Sequence, residues 1–93
     1  MLRIERGKEG NILLIGRWDA AQTQEADAFF RTIGEPTVVD FGRLEYISSA
    51  GLGILLVTQK RLMGAGGLKL VGMNKHIRDV FRYAGLESVF KIV

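Results

Sequence analysis

Leu2 and Ile4 alternate with Arg3 and Glu5, the period of two that marks a strand with one buried face. Gly7-Lys8-Glu9-Gly10-Asn11 follows as a turn cluster. Ile12-Leu13-Leu14-Ile15 is an unbroken apolar run, which predicts a more deeply buried strand. The two strands are expected to pair as an antiparallel hairpin. Gly16-Arg17-Trp18-Asp19 closes the second strand, with Trp18 expected at the edge of the core. From residue 20 to about residue 33 the period lengthens. Ala26, Phe29, Phe30 and Ile33 fall at i, i+3, i+4 and i+7, one apolar face of a helix. Asp19 or Thr23 would cap its start, and Gly34 and Pro36 end it.

Residues 37–41 predict a third strand, whose only charge is Asp40, and Gly42-Arg43-Leu44-Glu45 a loop after it. A second helix is expected from Ser49 to about Met63, with Leu52, Leu55, Leu56, Leu62 and Met63 on one side. Gln59 lands in the middle of that side for no reason that the pattern supplies. Ala50, Gly53, Ile54, Val57 and Arg61 fall on the opposite side. Gly64-Ala65-Gly66-Gly67 ends the helix, and residues 68–71 form a short strand. Asn74 caps a third helix that turns Ile77, Val80, Phe81 and Ala84 inward before Gly85. Residues 86–93 are a last apolar segment, strand or short helix. Strands joined through helices pair in parallel with right-handed crossovers. The expected fold class is therefore α/β: a small mixed β-sheet, an antiparallel N-terminal hairpin plus parallel strands, covered by three to four helices.

Composition narrows the function classes. The 93 residues, 47% of them hydrophobic, are expected to form a single domain with one core. No apolar run approaches the ~20 residues of a membrane span, and Met1-Leu2-Arg3-Ile4-Glu5-Arg6 is too charged for a signal peptide. The absence of cysteine excludes disulfides and thiolate chemistry. A cytoplasmic protein is expected, with no membrane partner. The net charge of +3 arises from mixed charges rather than blocks and does not call for nucleic acid. Lys75, His76, Arg78 and Arg82 make a basic strip on the third helix that reads as a solvated face; a nucleic-acid surface wants a denser patch and more stacking aromatics than Tyr83. His76 is the only histidine and reads as a surface residue rather than a general base, and a transition-metal site is not expected without cysteine or a second histidine. Gly51-Leu52-Gly53 lacks the third glycine of a dinucleotide fingerprint. Gly64-Ala65-Gly66-Gly67 ends a helix instead of opening one, so it is not a phosphate loop. Asp40 and Glu45 give no sign of converging. No enzymatic activity and no cofactor are expected.

What remains is Tyr46-Ile47-Ser48-Ser49-Ala50-Gly51-Leu52-Gly53, where a helix opens directly after a strand. Its hydroxyls lie where a helix presents unpaired N–H groups, a position that suits a cap and also tolerates a phosphate. A cap alone explains the serines, and tight packing on the sheet explains the glycines. Two glycines in a first turn nonetheless cost roughly 1 kcal/mol each relative to alanine, which suggests close approach by the protein's own backbone or by a partner. Ile54 and Val57, away from the expected core side, would place apolar groups beside the serine, as a docking surface needs. A phosphate on Ser49 would bring about −1.5 to −2 charge to that surface and repel an apolar partner while the helix dipole kept the fold intact.

This arrangement resembles the STAS domain of bacterial anti-sigma factor antagonists over nearly all of the chain. Gly16-Arg17-Trp18-Asp19 looks like the family's glycine–x–apolar–Asp step. Val38-Val39-Asp40-Phe41 through Leu44 is similar to its central strand and following loop, and Val80-Phe81 with Ala84-Gly85-Leu86 to its closing helix and turn. The Tyr46–Gly53 stretch looks like its signature, aromatic–apolar–Asp–Ser–Ser/Ala/Thr–Gly–Leu–Gly, with Ser48 standing where the family usually has Asp. The resemblance implies partner switching. The unmodified antagonist binds an anti-sigma factor that is also a serine kinase of the histidine-kinase-like ATPase type. Phosphorylation of the serine after the signature Asp ends the interaction, and a metal-dependent serine phosphatase of the PP2C type reverses it. By position that serine is Ser49, with Ser48 as the lesser candidate, and the partner-binding residues are Asp19, Ser48, Ser49, Ala50, Gly51, Gly53, Ile54 and Val57. A monomer is expected. Two other readings stand beside it: an unphosphorylated STAS scaffold, such as an accessory subunit of a transport assembly, and a nucleotide or small-anion sensor using the helix start.

Overall fold

The computed structural model describes residues 1–93. Strands β1 (Leu2–Arg6) and β2 (Ile12–Trp18) are followed by helix α1 (Thr23–Phe30), strand β3 (Thr37–Ile47), helix α2 (Ser49–Leu62), strand β4 (Leu68–Val71), helix α3 (Lys75–Tyr83) and strand β5 (Lys91–Ile92). The sheet runs β1-β2-β3-β4-β5 in chain order. β1 and β2 are antiparallel, and every later pair is parallel. Each crossover steps the same way across the sheet, so right-handed connections put all the helices on one face.

The core lies between that face and the helices. Ile12, Leu14, Val39, Phe41, Leu68 and Leu70 supply its sheet side. Phe41 meets Phe81 of α3 edge to face at 6.0 Å, and Phe81 meets Phe90 at 5.6 Å in the same manner. Trp18 is fully buried, not at the core's edge as expected: it stacks on Phe30 of α1 with ring centroids 5.6 Å apart. The hairpin and the third strand place it under α1, which the strand pattern alone did not show.

Several boundaries differ from expectation, each for a local reason. β3 does not stop at Phe41. The expected loop is the second half of an eleven-residue strand. Leu13 pairs with Asp40 but Ile15 with Arg43, so one extra residue is accommodated as a β-bulge at Gly42. Gly42 N–H donates to Asp40 Oδ1 at 2.8 Å. The bulge shifts the period so that Leu44 turns back into the core, and a second register shift, where Gly16 pairs with Leu44 but Arg17 with Tyr46, does the same for Ile47. α1 is shorter than expected because residues 20–22 form a 3-10 turn. Asp19 is the N-cap residue of that turn, as expected, with Gln22 Oε1 accepting from its N–H at 3.0 Å, whereas the Thr23 hydroxyl donates back to Ala20 C=O and caps nothing. α3 begins as expected, with Asn74 Oδ1 accepting from Ile77 N–H at 2.9 Å. Ala84 lies beyond its last turn and is exposed rather than inward.

α2 packs on α1 as well as on the sheet, so it buries more than one side. Ile54 is therefore in the core at 8% exposure, not on the outer side as expected. Met63 is exposed because the chain turns into a 3-10 turn there. Gln59 acquires its reason. Its Oε1 accepts from Leu68 N–H at 2.7 Å and its Nε2 donates to Val89 C=O at 2.9 Å, tying α2 to the start of β4 and to the approach to β5.

Candidate functional site

Ser48 is the joint between β3 and α2, and its polar groups are in use. Its N–H donates to Trp18 C=O at 2.9 Å, its C=O accepts from Leu52 N–H at 3.1 Å, and its hydroxyl accepts from Gly51 N–H at 3.2 Å. The backbone is extended at Ser48 (φ −80°, ψ 165°), the conformation of an N-cap residue. Only 8% of the residue is exposed. Ser49, the first residue of α2, is exposed. The two adjacent hydroxyls thus have different surroundings: one holds the helix, the other faces outward where the helix N–H groups point.

The neighbouring glycines divide in the same way. A Cβ at Gly51 would stand 2.9 Å from Ile47 Cγ1 and 3.0 Å from the Trp18 ring, so Gly51 is required by the chain's own packing. A Cβ at Gly53 would meet nothing within 4 Å. Gly53 follows Ser49 by one turn, and Val57, 64% exposed, follows by another. Ser49, Gly53 and Val57 form an outward stripe along α2, with half-buried Ala50 beside it. Beyond Val57, a groove of about 400 Å³ lies between α1 and α2, lined by Asp27, Arg31, Val57, Thr58 and Arg61. Its cations are occupied: Arg31 pairs with Asp27 at 2.9 Å, and Arg61 donates to Ile33 C=O at 2.5 Å and to Phe30 C=O at 2.9 Å, closing the end of α1.

Asp19 is brought to the same end of the sheet, one residue past the Trp18–Ile47 pair. It is half-buried and lies 3.8 Å from Arg17, whose guanidinium sits 4.5 Å from the Tyr46 ring centroid. Arg17 and Tyr46 were not singled out from the sequence. The cross-strand register that joins them is the signal, and it needs the bulge to be placed first. Of the expected partner-facing residues, Ser49, Ala50, Gly53 and Val57 reach the surface together, Asp19 lies at the same edge, and Ser48, Gly51 and Ile54 are buried.

On α3 the basic strip is partly neutralised. Asp79 takes both Lys75, at 3.1 Å, and Arg82, at 3.0 Å. Hydrogen bonding to the Tyr83 side chain, and then the Asp79 charge, hold Arg82 above its ordinary value. His76 stands alone there, and nowhere do three acids or histidines converge as metal ligands would. No helix is long and apolar enough to cross a membrane.

Comparison with known proteins agrees with this fold. The family model described as Mlab, STAS domain matches residues 4–93. BtrV of Bordetella bronchiseptica, whose name gives it as a candidate anti-sigma factor antagonist, is 45% identical over 56 residues. That match covers 59% of this chain and 48% of BtrV, about half of that relative's length. Among solved structures, the anti-sigma factor antagonist SpoIIAA in its unphosphorylated form superposes with a TM-score of 0.74 at 20% identity, covering 100% of this chain and 88% of that one. The Bacillus cell fate determinant SpoIIAA in its phosphorylated form gives 0.69 at 20% identity, covering 100% and 91%. An anti-sigma factor antagonist from Mycobacterium paratuberculosis gives 0.74 at 23% identity, covering 99% and 83%. At these identities the structural likenesses establish the fold.

Proposed function

The chain belongs to the STAS domain family, and from that premise we propose that it acts as an anti-sigma factor antagonist by partner switching. Unmodified, it binds an anti-sigma factor that is also a serine kinase of the histidine-kinase-like ATPase type. Phosphorylation of Ser49 releases it, and a PP2C-type phosphatase restores it. One observation carries the reading: of two adjacent hydroxyls, Ser48 is consumed as a buried cap and Ser49 is presented at the helix start beside an open glycine and an exposed valine. Ser49, rather than Ser48, is the acceptor because a kinase must reach the oxygen and the Ser48 oxygen already serves the fold. BtrV, similar over the matched stretch, supports the role by its name.

The chemistry of release follows from charge. A phosphate on Ser49 adds about −1.5 to −2 charge, which the positive end of α2 accommodates. The same charge under a partner that covers Gly53 and Val57 loses its water without a compensating cation, which is expensive. The fold survives and the complex does not. Incubation with the cognate kinase and ATP, followed by mass spectrometry, should place one phosphate on Ser49. Ser49→Asp should lower partner affinity at least ten-fold, about 1.4 kcal/mol. An unmodified protein and an unchanged affinity would favour the scaffold reading instead, to which the neutral Ser48 in the place of the family's usual Asp lends support.

A further inference from the structure

The helices cover one face of the sheet, which leaves the other open. Its side chains follow from the register. Arg3, Ile15 and Arg43 form one row across β1, β2 and β3. Glu5, Leu13, Asp40 and Val71 form the next, across β1 to β4. Val38, Lys69 and Lys91 form the third, across β3, β4 and β5. Leu13, Ile15, Val38 and Val71 are half-buried, yet none of them packs against the core cluster; only their neighbours on the sheet screen them.

The charges on this face are not balanced. Within these three rows four cations (Arg3, Arg43, Lys69, Lys91) stand against two acids (Glu5, Asp40), a net of +2, and Arg17 in the row beyond is paired with Asp19. Both acids are engaged, Glu5 by Arg3 and Asp40 by the Gly42 N–H. Arg43, Lys69 and Lys91 have no ion pair in the chain. Lys69 and Lys91 are registered neighbours on adjacent strands, and like charges side by side on a sheet are unfavourable. A face whose half-buried apolar side chains flank the single, backbone-bonded carboxylate of Asp40, with an unneutralised basic margin and two lysines in register, is complementary to a surface that is apolar with acidic flanks.

We propose that the open sheet face docks an acidic, amphipathic helix of a partner protein, independently of the Ser49 surface. A second copy of this chain does not fit, because apposed copies would bring the uncompensated cations of Arg43, Lys69 and Lys91 together, and α3 is basic as well. Five strands about 4.8 Å apart span roughly 20 Å, the length of about 13–14 helical residues, so one short helix covers the face. The Ser49 stripe lies in the helical layer on the other side of the sheet, which leaves the domain able to hold one partner permanently and to exchange another.

The test uses a synthetic helical peptide of about 18 residues with Leu on one face and Glu on the other, titrated into the labelled protein and followed by amide NMR. Shifts should concentrate at Leu13, Ile15, Val38, Lys69 and Val71, and spare Ser49 to Val57. The Lys69→Glu/Lys91→Glu protein, checked for folding by circular dichroism, should bind at least ten-fold more weakly, and a Leu/Lys peptide should bind that variant better than the wild type. Shifts centred on α2 or α3 would overturn the proposal. So would an affinity that the double variant leaves unchanged, or binding to anionic vesicles or an oligonucleotide without binding to the peptide.

Discussion

A methyl group at Gly51 would press into Ile47 and the Trp18 ring, and one at Gly53 would point into open space. The two glycines, two residues apart in one turn, therefore answer to different demands. Gly51→Ala is an overpacking change against a fixed ring and should destabilise the protein by about 1–3 kcal/mol in urea unfolding. Gly53→Ala replaces a poor helix former where nothing clashes and should stabilise it by about 0.5–1 kcal/mol in the same measurement. If Gly53 is small for a partner's sake, the stabilised variant should also bind that partner more weakly, a combination that a purely structural glycine would not give. Ser48→Ala removes the cap of α2 and should cost about 1 kcal/mol, whereas Ser49→Ala should leave stability nearly unchanged. The sequence held the serine pair in view but not the split between its members. That split depends on Trp18 lying beneath the helix start and taking up the Ser48 N–H through its carbonyl.

Elements were legible where one period ran unbroken. The hairpin, the apolar face of α1 and the Asn74 cap of α3 needed only local pattern, and they stand where the pattern put them. β3 was half legible because two register shifts convert alternation into a run that reads as Gly-Arg-Leu-Glu loop. α2 was misread on one side because a single apolar arc assumes one packing partner, and α2 has two, which is why Ile54 is inside. Gln59 was unreadable in principle: its partners, Leu68 N–H and Val89 C=O, are backbone groups brought from later elements. Their dependence on it gives a sharp expectation. Gln59→Leu keeps the volume but leaves a buried N–H and a C=O without their partner, at about 1–3 kcal/mol for each group fully buried. Urea unfolding should show a larger loss than any substitution on the exposed stripe of α2, with hydrogen exchange accelerated at the Leu68 amide.

At the scale of the whole molecule, the one-sided layering separates what holds the fold from what meets a partner. The core is sealed between the helices and the inner sheet face, while Ser49 stands at the rim where β2 and β3 end and α2 begins. No core contact passes through the Ser49 side chain, so charge placed there acts on the helix dipole and on whatever lies outside. A negative group at the first residue of a helix contributes about 0.3–1 kcal/mol in favour of the fold. For a domain of this size 1 kcal/mol corresponds to roughly 4–8 °C in Tm. Ser49→Asp, and more so the phosphorylated protein, should therefore melt at or a few degrees above the unmodified protein, with the gain shrinking in high salt as the dipole interaction is screened. Scanning calorimetry at low and high ionic strength reads this directly. A fall of several degrees would mean that the rim serves the core after all, and that release on phosphorylation comes from loss of the domain's structure rather than from repulsion at an intact surface.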